Sequence, residues 1–358
     1  MSKKIVLTGG GTAGHVTPNI ALLPTLKKLG YEVSYIGSYN GIEKKLITER
    51  GIPYSGIDSG KLRRYFDWKN FSDPFRVLHG YFQARRILKR TKPDVVFSKG
   101  GFVSVPVVRA AASLHIPTII HESDMTPGLA NRLAIPAAQK VCCSFPETMQ
   151  YLPKDKAVLS GSPVRQELFE GTRENGLRFT GFPDDGKPVL LVVGGSQGAA
   201  CINTALRACL PELLKQMRII HLCGKGNLDP SIHYPGEYVQ YEYIESELKD
   251  LFALADMVLS RAGANAICEL LALRKPNLLI PLSAAASRGD QILNARSYEK
   301  QGYSMVLEEE KLTPEILPEK LQALYENRQR YIDAMSRAAQ SNAIDIICGL
   351  ITSCSNVT

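Results

Sequence analysis

The chain has 358 residues, 44% hydrophobic and 22% charged, with 43 Lys and Arg against 35 Asp and Glu for a net charge of +8. That length exceeds one comfortable core and points to two globular domains, while the absence of a leader pattern or of an apolar run of about 18 residues places the chain in the cytosol. The eight cysteines form no CxxC pair and no Cys/His cluster with zinc spacing, so they read as reduced thiols rather than a disulfide scaffold or zinc domain.

Ile5 to Thr8 is a short apolar run that ends in Gly9-Gly10-Gly11-Thr12-Ala13-Gly14, and a helical stretch from about Thr17 to Leu29 follows. Gly9, Gly11 and Gly14 satisfy GxGxxG, a spacing that lets backbone N–H groups approach a phosphate. The dinucleotide fingerprint also needs an acid at the end of the second strand. Here Tyr31 to Gly37 leads into Ser38, and a dehydrogenase is disfavoured.

Lys61 to Phe71 mixes basic and aromatic residues around the single tryptophan, and Asp73-Pro74 reads as the cap and first position of a helix. Phe75, Leu78, Phe82 and Leu88 follow at helical spacing. From Lys61 to Lys92 there are ten basic and two acidic residues, a surplus equal to that of the whole chain. One reading is an anionic membrane surface met by Arg63, Arg64, Tyr65, Phe66, Trp68, Lys69 and Phe71. Aromatic rings favour the headgroup zone, and each basic residue adds about 1 kcal/mol there. The other reading, which suits the later half, is a helix packed on a sheet with its basic face in water. Nucleic acid would match the charge, but no recognition motif accompanies it.

Asp94 to Gly101 is a third strand and loop, continuing into Phe102-Val103-Ser104, and Ile116 to Ile120 is a fourth strand. The second half repeats this order. Val189 to Val193 ends in Gly194-Gly195-Ser196-Gln197-Gly198, Arg218 to Gly224 answers Tyr31 to Gly37, Asp256 to Gly263 answers Asp94 to Gly101, and Lys275 to Ile280 answers Ile116 to Ile120. Gly171 to Gly186 is polar, glycine-rich and aperiodic, as a connector would be. From about Glu315 the chain is helical, and its last apolar part, Ile344 to Ile351, needs a surface to pack on.

Four matched units in one order imply an α/β protein with two Rossmann-like domains facing across a cleft, where ligands bind beyond the carboxyl ends of the strands. The expected division is 1–160, a connector at 161–186, a second domain at 187–340, and a terminal helix at 341–358 that crosses back to the first domain. Each glycine loop alone is as well explained by a tight turn. Several together favour a phosphate-bearing ligand, placed in the second domain by Ser196-Gln197 and by Ala264 to Glu269. Glu269 suits a ribose diol, or equally a helix N-terminal acid.

These residues resemble the MurG family of bacterial glycosyltransferases, in the GT-B superfamily. The resemblance runs through Gly10 to Val16, Gly100 to Ser104, His121-Glu122-Ser123, Gly161 to Arg165, Val193 to Ala199, Asp290-Gln291 and Asn294-Ala295. It departs at Phe102, where the family often has Tyr, and at Asp124, where it often has Asn. The resemblance implies UDP-GlcNAc as donor, undecaprenyl-linked lipid I as acceptor, and a peripheral place on the cytoplasmic face of the membrane. It also implies donor contacts at Arg165, Ser196, Gln197, Gly198, Ile244, Ala264, Asn265, Ala266, Glu269 and Gln291. Glu269 would then hold the ribose, backbone at Ile244 the uracil, and Gln291 sugar hydroxyls. Thr12, Ala13, Gly14 and Asp124 would line the junction of donor and acceptor.

Transfer with inversion needs a base for the incoming hydroxyl, stabilisation of an oxocarbenium-like centre, and help for the departing diphosphate. His15 follows the first glycine loop and has an ordinary pKa near 6.5, so it is a candidate base; the alternative is an orienting histidine. Asp124 and Glu122 are rival proton acceptors. No DxD-type motif stands in the second domain, so no cofactor and no essential metal are expected. A UDP-sugar epimerase, a transferase to another lipid, and a peripheral protein that binds nucleotide without turnover are the competing readings. Retention of His15, Arg165, Glu269 and Gln291 together argues against the last.

Overall fold

The computed structural model describes residues 3–60, 69–195, 198–285, 289–338 and 342–355, with the backbone alone for 69–74. The chain divides into two compact units, Met1–Arg165 with Asn342–Thr358, and Gln166–Ser341.

The N-terminal unit runs β1 (Lys3–Thr8), α1 (Thr17–Lys28), β2 (Tyr31–Ser38), α2 (Ile42–Thr48), β3 (Tyr54–Ile57), α3 (Lys69–Thr91), β4 (Val95–Ser98), α4 (Ser104–Ser113), β5 (Thr118–Glu122), α5 (Leu129–Ala134), β6 (Lys140–Cys143) and β7 (Ala157–Leu159). Its seven strands are all parallel, in the order β3-β2-β1-β4-β5-β6-β7. Alternation along β1 sorts the core into two layers. Ile5 and Leu7 pack with Ile20, Leu22 and Leu26 on one face, while Val6 packs with Ala84, Leu88, Val107 and Ala110 on the other. Both faces are covered, which is why these strands read as continuous apolar runs.

The second unit runs α6 (Arg173–Thr180), β8 (Val189–Val193), α7 (Ala200–Leu213), β9 (Arg218–Leu222), β10 (Tyr238–Tyr241), α8 (Leu248–Leu254), β11 (Met257–Ser260), α9 (Ala264–Ala272), β12 (Asn277–Leu279), α10 (Asp290–Lys300), β13 (Met305–Val306), α11 (Ile316–Glu326) and α12 (Arg328–Ser336). Its six parallel strands follow the order β10-β9-β8-β11-β12-β13.

The last helix, α13 (Ala343–Ser355), belongs to the N-terminal unit. Ile347, Cys348 and Ile351 lie on one helical face and join the core built on β1 and α1. Burying each isoleucine contributes about 1.5–3 kcal/mol, and Tyr31 and Ser355 share a hydroxyl–hydroxyl bond of 2.7 Å.

Two expectations need correction. The stretch Gly171 to Gly186 is no aperiodic connector, because α6 lies inside it and packs in the second unit. The Thr172 hydroxyl caps the helix by accepting from the Asn175 N–H, and Gly181 ends it with φ 72°. The Thr172 N–H donates to Asp250 at 2.8 Å, and Arg218 grips Asp185 through both guanidinium nitrogens at 2.5 and 2.6 Å. The second correction concerns α3, which begins at Lys69 and carries Asp73-Pro74 in its second turn rather than at its start. A proline there removes one N–H from the helix ladder and leaves the long remainder to propagate the helix.

Candidate active site

In open parallel sheets a ligand crevice opens where strand order reverses, beyond the carboxyl ends of the strands. In the N-terminal unit that point lies between β1 and β4, and in the second unit between β8 and β11. The four glycine loops singled out from the sequence leave these four strands.

In the N-terminal unit the two loops interlock. The Gly10 N–H donates to the Gly100 carbonyl at 3.3 Å, and a Cβ on Gly101, at φ 85°, would collide with the Gly10 carbonyl. Beneath the first loop lies Glu43 of α2, a residue that sequence reasoning passed over. Its carboxylate is buried and accepts from the Ser38 N–H at 2.9 Å, the Ser38 hydroxyl at 2.5 Å and the Gly11 N–H at 3.3 Å. The acid missing from the end of β2 is therefore supplied five residues later, and it turns inward. Gly37 and Gly41, which leave room on either side of this carboxyl group, are the one signal in the sequence that could have found it.

Thr12 and Ala13 are exposed on the first loop, and Gly14 and His15 are half-buried. His15 Nδ1 lies 3.1 Å from the Lys99 carbonyl. A carbonyl only accepts, so Nδ1 carries the proton and Nε2 keeps its lone pair. Burial, then the Lys99 ammonium, holds the His15 pKa below its ordinary value, against a backbone hydrogen bond and Glu43. Lys99 itself is fully buried. Its ammonium donates to His121 Nδ1 at 2.8 Å and to the Ser123 hydroxyl, while His121 Nε2 donates to the Gly161 carbonyl at 2.7 Å. Burial, with Lys99 second, holds His121 well below its usual pKa and hence neutral.

Glu122 and Asp124 come out differently. Both Glu122 oxygens are engaged, accepting from the Asp124 N–H at 2.9 Å, the Gly128 N–H at 3.0 Å and the Asn131 amide at 2.8 Å. Burial raises its pKa against these bonds. A carboxylate spent in this way holds a loop, which argues against its expected role as proton acceptor. Asp124 is half-buried on the loop that Glu122 fixes.

In the second unit, Gly198 must lack a side chain because a Cβ would strike the Cys223 carbonyl. Ser196 and Gln197 lie outside the described residues. The first turns of α7 and α9 contain no acid, and neither N-cap side chain bonds the helix start. Ala264, Asn265 and Ala266 form the first turn of α9, and half-buried Glu269 follows in its second turn. Gln291 Oε1 accepts from the Leu282 N–H at 3.1 Å, and Asn294 donates to the Ala262 carbonyl at 3.3 Å, so α10 braces both neighbouring loops. Half-buried Ile244 stands on the loop leaving β10. Arg165 is the last residue of the N-terminal unit and is not carried by the unit that holds the other expected donor contacts.

Of the expected membrane residues, Arg63, Arg64, Tyr65, Phe66 and Trp68 lie outside the described residues, and Lys69 and Phe71 are described only as backbone in the first turn of α3. Further along α3, Leu88 and Ala84 are buried, whereas Phe75, Leu78 and Phe82 are 75%, 53% and 58% exposed. Sequence spacing placed these four large residues along one helix but did not say that Phe75, Leu78 and Phe82 would turn outward. Among the described residues no helix is long and apolar enough to cross a membrane, and no three His, Cys, Asp or Glu side chains gather as metal ligands.

Comparison with known proteins agrees with this geometry. The N-terminal domain model of glycosyltransferase family 28 matches residues 5–143, and its C-terminal domain model matches 189–348. The chain is 64% identical over 349 residues to the UDP-N-acetylglucosamine–N-acetylmuramyl-(pentapeptide) pyrophosphoryl-undecaprenol N-acetylglucosamine transferase of Lachnospira eligens, and 65% identical to that of Lachnoclostridium phytofermentans, covering 98% of each chain in both cases. The crystal structure of MurG from Acinetobacter baumannii superposes with a TM-score of 0.77 at 28% identity, over 98% of this chain and 99% of that one. With both domain models matched in order and relatives aligned end to end, the chain belongs to glycosyltransferase family 28.

Proposed function

We propose that the protein transfers N-acetylglucosamine from UDP-GlcNAc to the 4-hydroxyl of undecaprenyl-diphospho-N-acetylmuramoyl-pentapeptide, lipid I. The product is the β-1,4-linked disaccharide of lipid II, made for peptidoglycan synthesis. The observation that carries this reading is the end-to-end similarity to transferases named for that reaction.

In this mechanism the acceptor hydroxyl gives its proton to His15 Nε2 as its oxygen bonds to the sugar carbon, and the bond from that carbon to the diphosphate oxygen breaks. The tautomer fixed by the Lys99 carbonyl and the lowered pKa both suit a neutral base. Asp124 orients the acceptor sugar from the loop that Glu122 holds. UDP leaves with the electron pair, and its charge falls on the N–H groups at the starts of α7 and α9, with Ser196, Gln197, Gly198 and Arg165 adding hydrogen bonds. One helix terminus is worth about 0.3–2 kcal/mol to an anion, so several act together. Glu269 takes the ribose hydroxyls, Ile244 the uracil and Gln291 the sugar hydroxyls. This charge stabilisation stands in place of a divalent metal, and chelation leaves the rate unchanged.

Phe75, Leu78 and Phe82, with the basic segment before them, rest on the anionic cytoplasmic leaflet where the lipid acceptor resides. Phosphate headgroups, not nucleic acid, are the polyanion this surface serves. The test is an assay of purified protein with UDP-GlcNAc and a lipid I analogue, with and without EDTA, and with donor alone. Disaccharide formation that needs the acceptor and survives EDTA is the expected result. Epimerised donor without acceptor, or no product, defeats the reading.

A further inference from the structure

Lys99 is buried to 0% exposure although a lysine in a core is costly. A well-packed methionine of similar volume would serve a purely structural need as well or better. Residue 99 joins three pieces of the chain, two through main-chain groups that any side chain would leave in place and the third through the ammonium that only lysine brings. Its N–H donates to the Thr8 carbonyl at 2.9 Å, at the root of the first glycine loop. Its carbonyl accepts from His15 Nδ1 at 3.1 Å. Its ammonium reaches His121 at 2.8 Å and Ser123, the residue before Asp124. Asn131 continues the network by donating to the His121 carbonyl at 3.1 Å and to Glu122 at 2.8 Å, and Glu122 receives the Asp124 N–H.

We propose that Lys99 is a positioning residue for the transfer reaction, holding the loop of His15 through its backbone and the loop of Asp124 through its ammonium. The proposal rests on the functional reading above, in which those two side chains meet the acceptor. Lys99 acts electrostatically as well. The charged groups facing His15 are Lys99, which opposes its protonation, and Glu43, which favours it. The acidic limb of the rate profile is therefore set in part by a residue that does not touch substrate.

The test compares Lys99→Met and Lys99→Arg with the unmodified protein. Transfer is followed against pH, with KM for UDP-GlcNAc, and the histidines are titrated by 15N NMR without substrate. Lys99→Met is expected to lower kcat about 10- to 100-fold, since small misplacements of reacting groups cost that much, with KM for UDP-GlcNAc nearly unchanged. Removing the cation also raises the His15 pKa, so the acidic limb moves to higher pH, and Lys99→Arg restores its position. A Lys99→Met protein with unaltered kcat and limb overturns the proposal. Should that variant fail to fold, Ser123→Ala removes one acceptor of the ammonium at little cost to packing. Because the cation stays in Ser123→Ala, its His15 titration should not move, and an unaltered kcat in that variant overturns the positioning role equally. If the unmodified protein forms no disaccharide, the functional reading falls, while the NMR titrations still decide the electrostatic role of Lys99.

Discussion

The two units repeat one plan and part company at matched stations. After β4 stands Lys99 and after β11 stands Arg261, both at the point where strand order reverses. Arg261 is braced within its own unit, by Glu309 at 2.5 Å, the Ile280 carbonyl at 3.2 Å and the Cys201 sulfur at 3.1 Å. Lys99 instead gives its ammonium to the neutral His121 imidazole and to the Ser123 hydroxyl, on the loop that carries Asp124. The glycine loops differ in the same sense. The first N-terminal loop already gives an N–H to an internal carboxylate, Glu43, whereas the starts of α7 and α9 have neither acid nor side-chain cap. A duplicated scaffold thus carries different side chains at matched stations: an internal carboxylate answers the first loop of one copy, and no first-turn acid stands at the starts of α7 and α9 in the other.

The largest expected effect comes from His15→Ala, which should lower kcat by about 10²–10⁴-fold with little change in KM for UDP-GlcNAc. In the unmodified protein the base must be unprotonated, so activity is lost as pH falls through a pKa below 6.5. Residual turnover in His15→Ala with that limb intact would remove His15 from the role. Next come two carboxylates, one in each unit, Glu269 and Glu43. Glu269→Ala should raise KM for UDP-GlcNAc roughly 10- to 100-fold, the worth of hydrogen bonds to a charged group. Glu43→Ala should do the reverse. It leaves the half-buried Ser38 N–H and hydroxyl without their acceptor and costs about 1–3 kcal/mol in all, read by urea unfolding, while UDP binding persists. If Glu43→Ala weakened UDP binding and spared stability, the contrast between the loops would be wrong.

The smallest effect concerns a helix that only one unit elaborates: α3 has 23 residues, and its counterpart α8 has seven. Phe75→Ser, Leu78→Ser or Phe82→Ser should each weaken sedimentation with anionic liposomes by several-fold, from about 1–2 kcal/mol of apolar burial. Transfer to a short-chain, water-soluble acceptor should be unaffected. Equal liposome binding in all three variants would take the membrane away from this face.

Much of the fold was legible because its signals are local. Apolar runs of four or five residues, the glycines that end them and the helical spacing after them repeat in order, and β1, α1, β2, β4, β8 and β11 fall where those signals lie. The helix α6 was legible too, in Thr172 and Gly181, but the polar composition of the segment hid it. Glu269 could be placed on a helix following a glycine loop for the same local reason, whereas Gln291 came only from the family resemblance. Tertiary structure alone decided what distant residues do to one another. Gly11 meets Glu43 across 32 positions and Lys99 meets Ser123 across 24, and no periodicity encodes such pairs. Folding also decided that Glu122 is consumed by its own loop and that α3 turns Phe75, Leu78 and Phe82 outward. Sequence pattern reports which face of an element is apolar, but whether that face is buried, and which donor answers which acceptor, depends on the neighbours that packing brings.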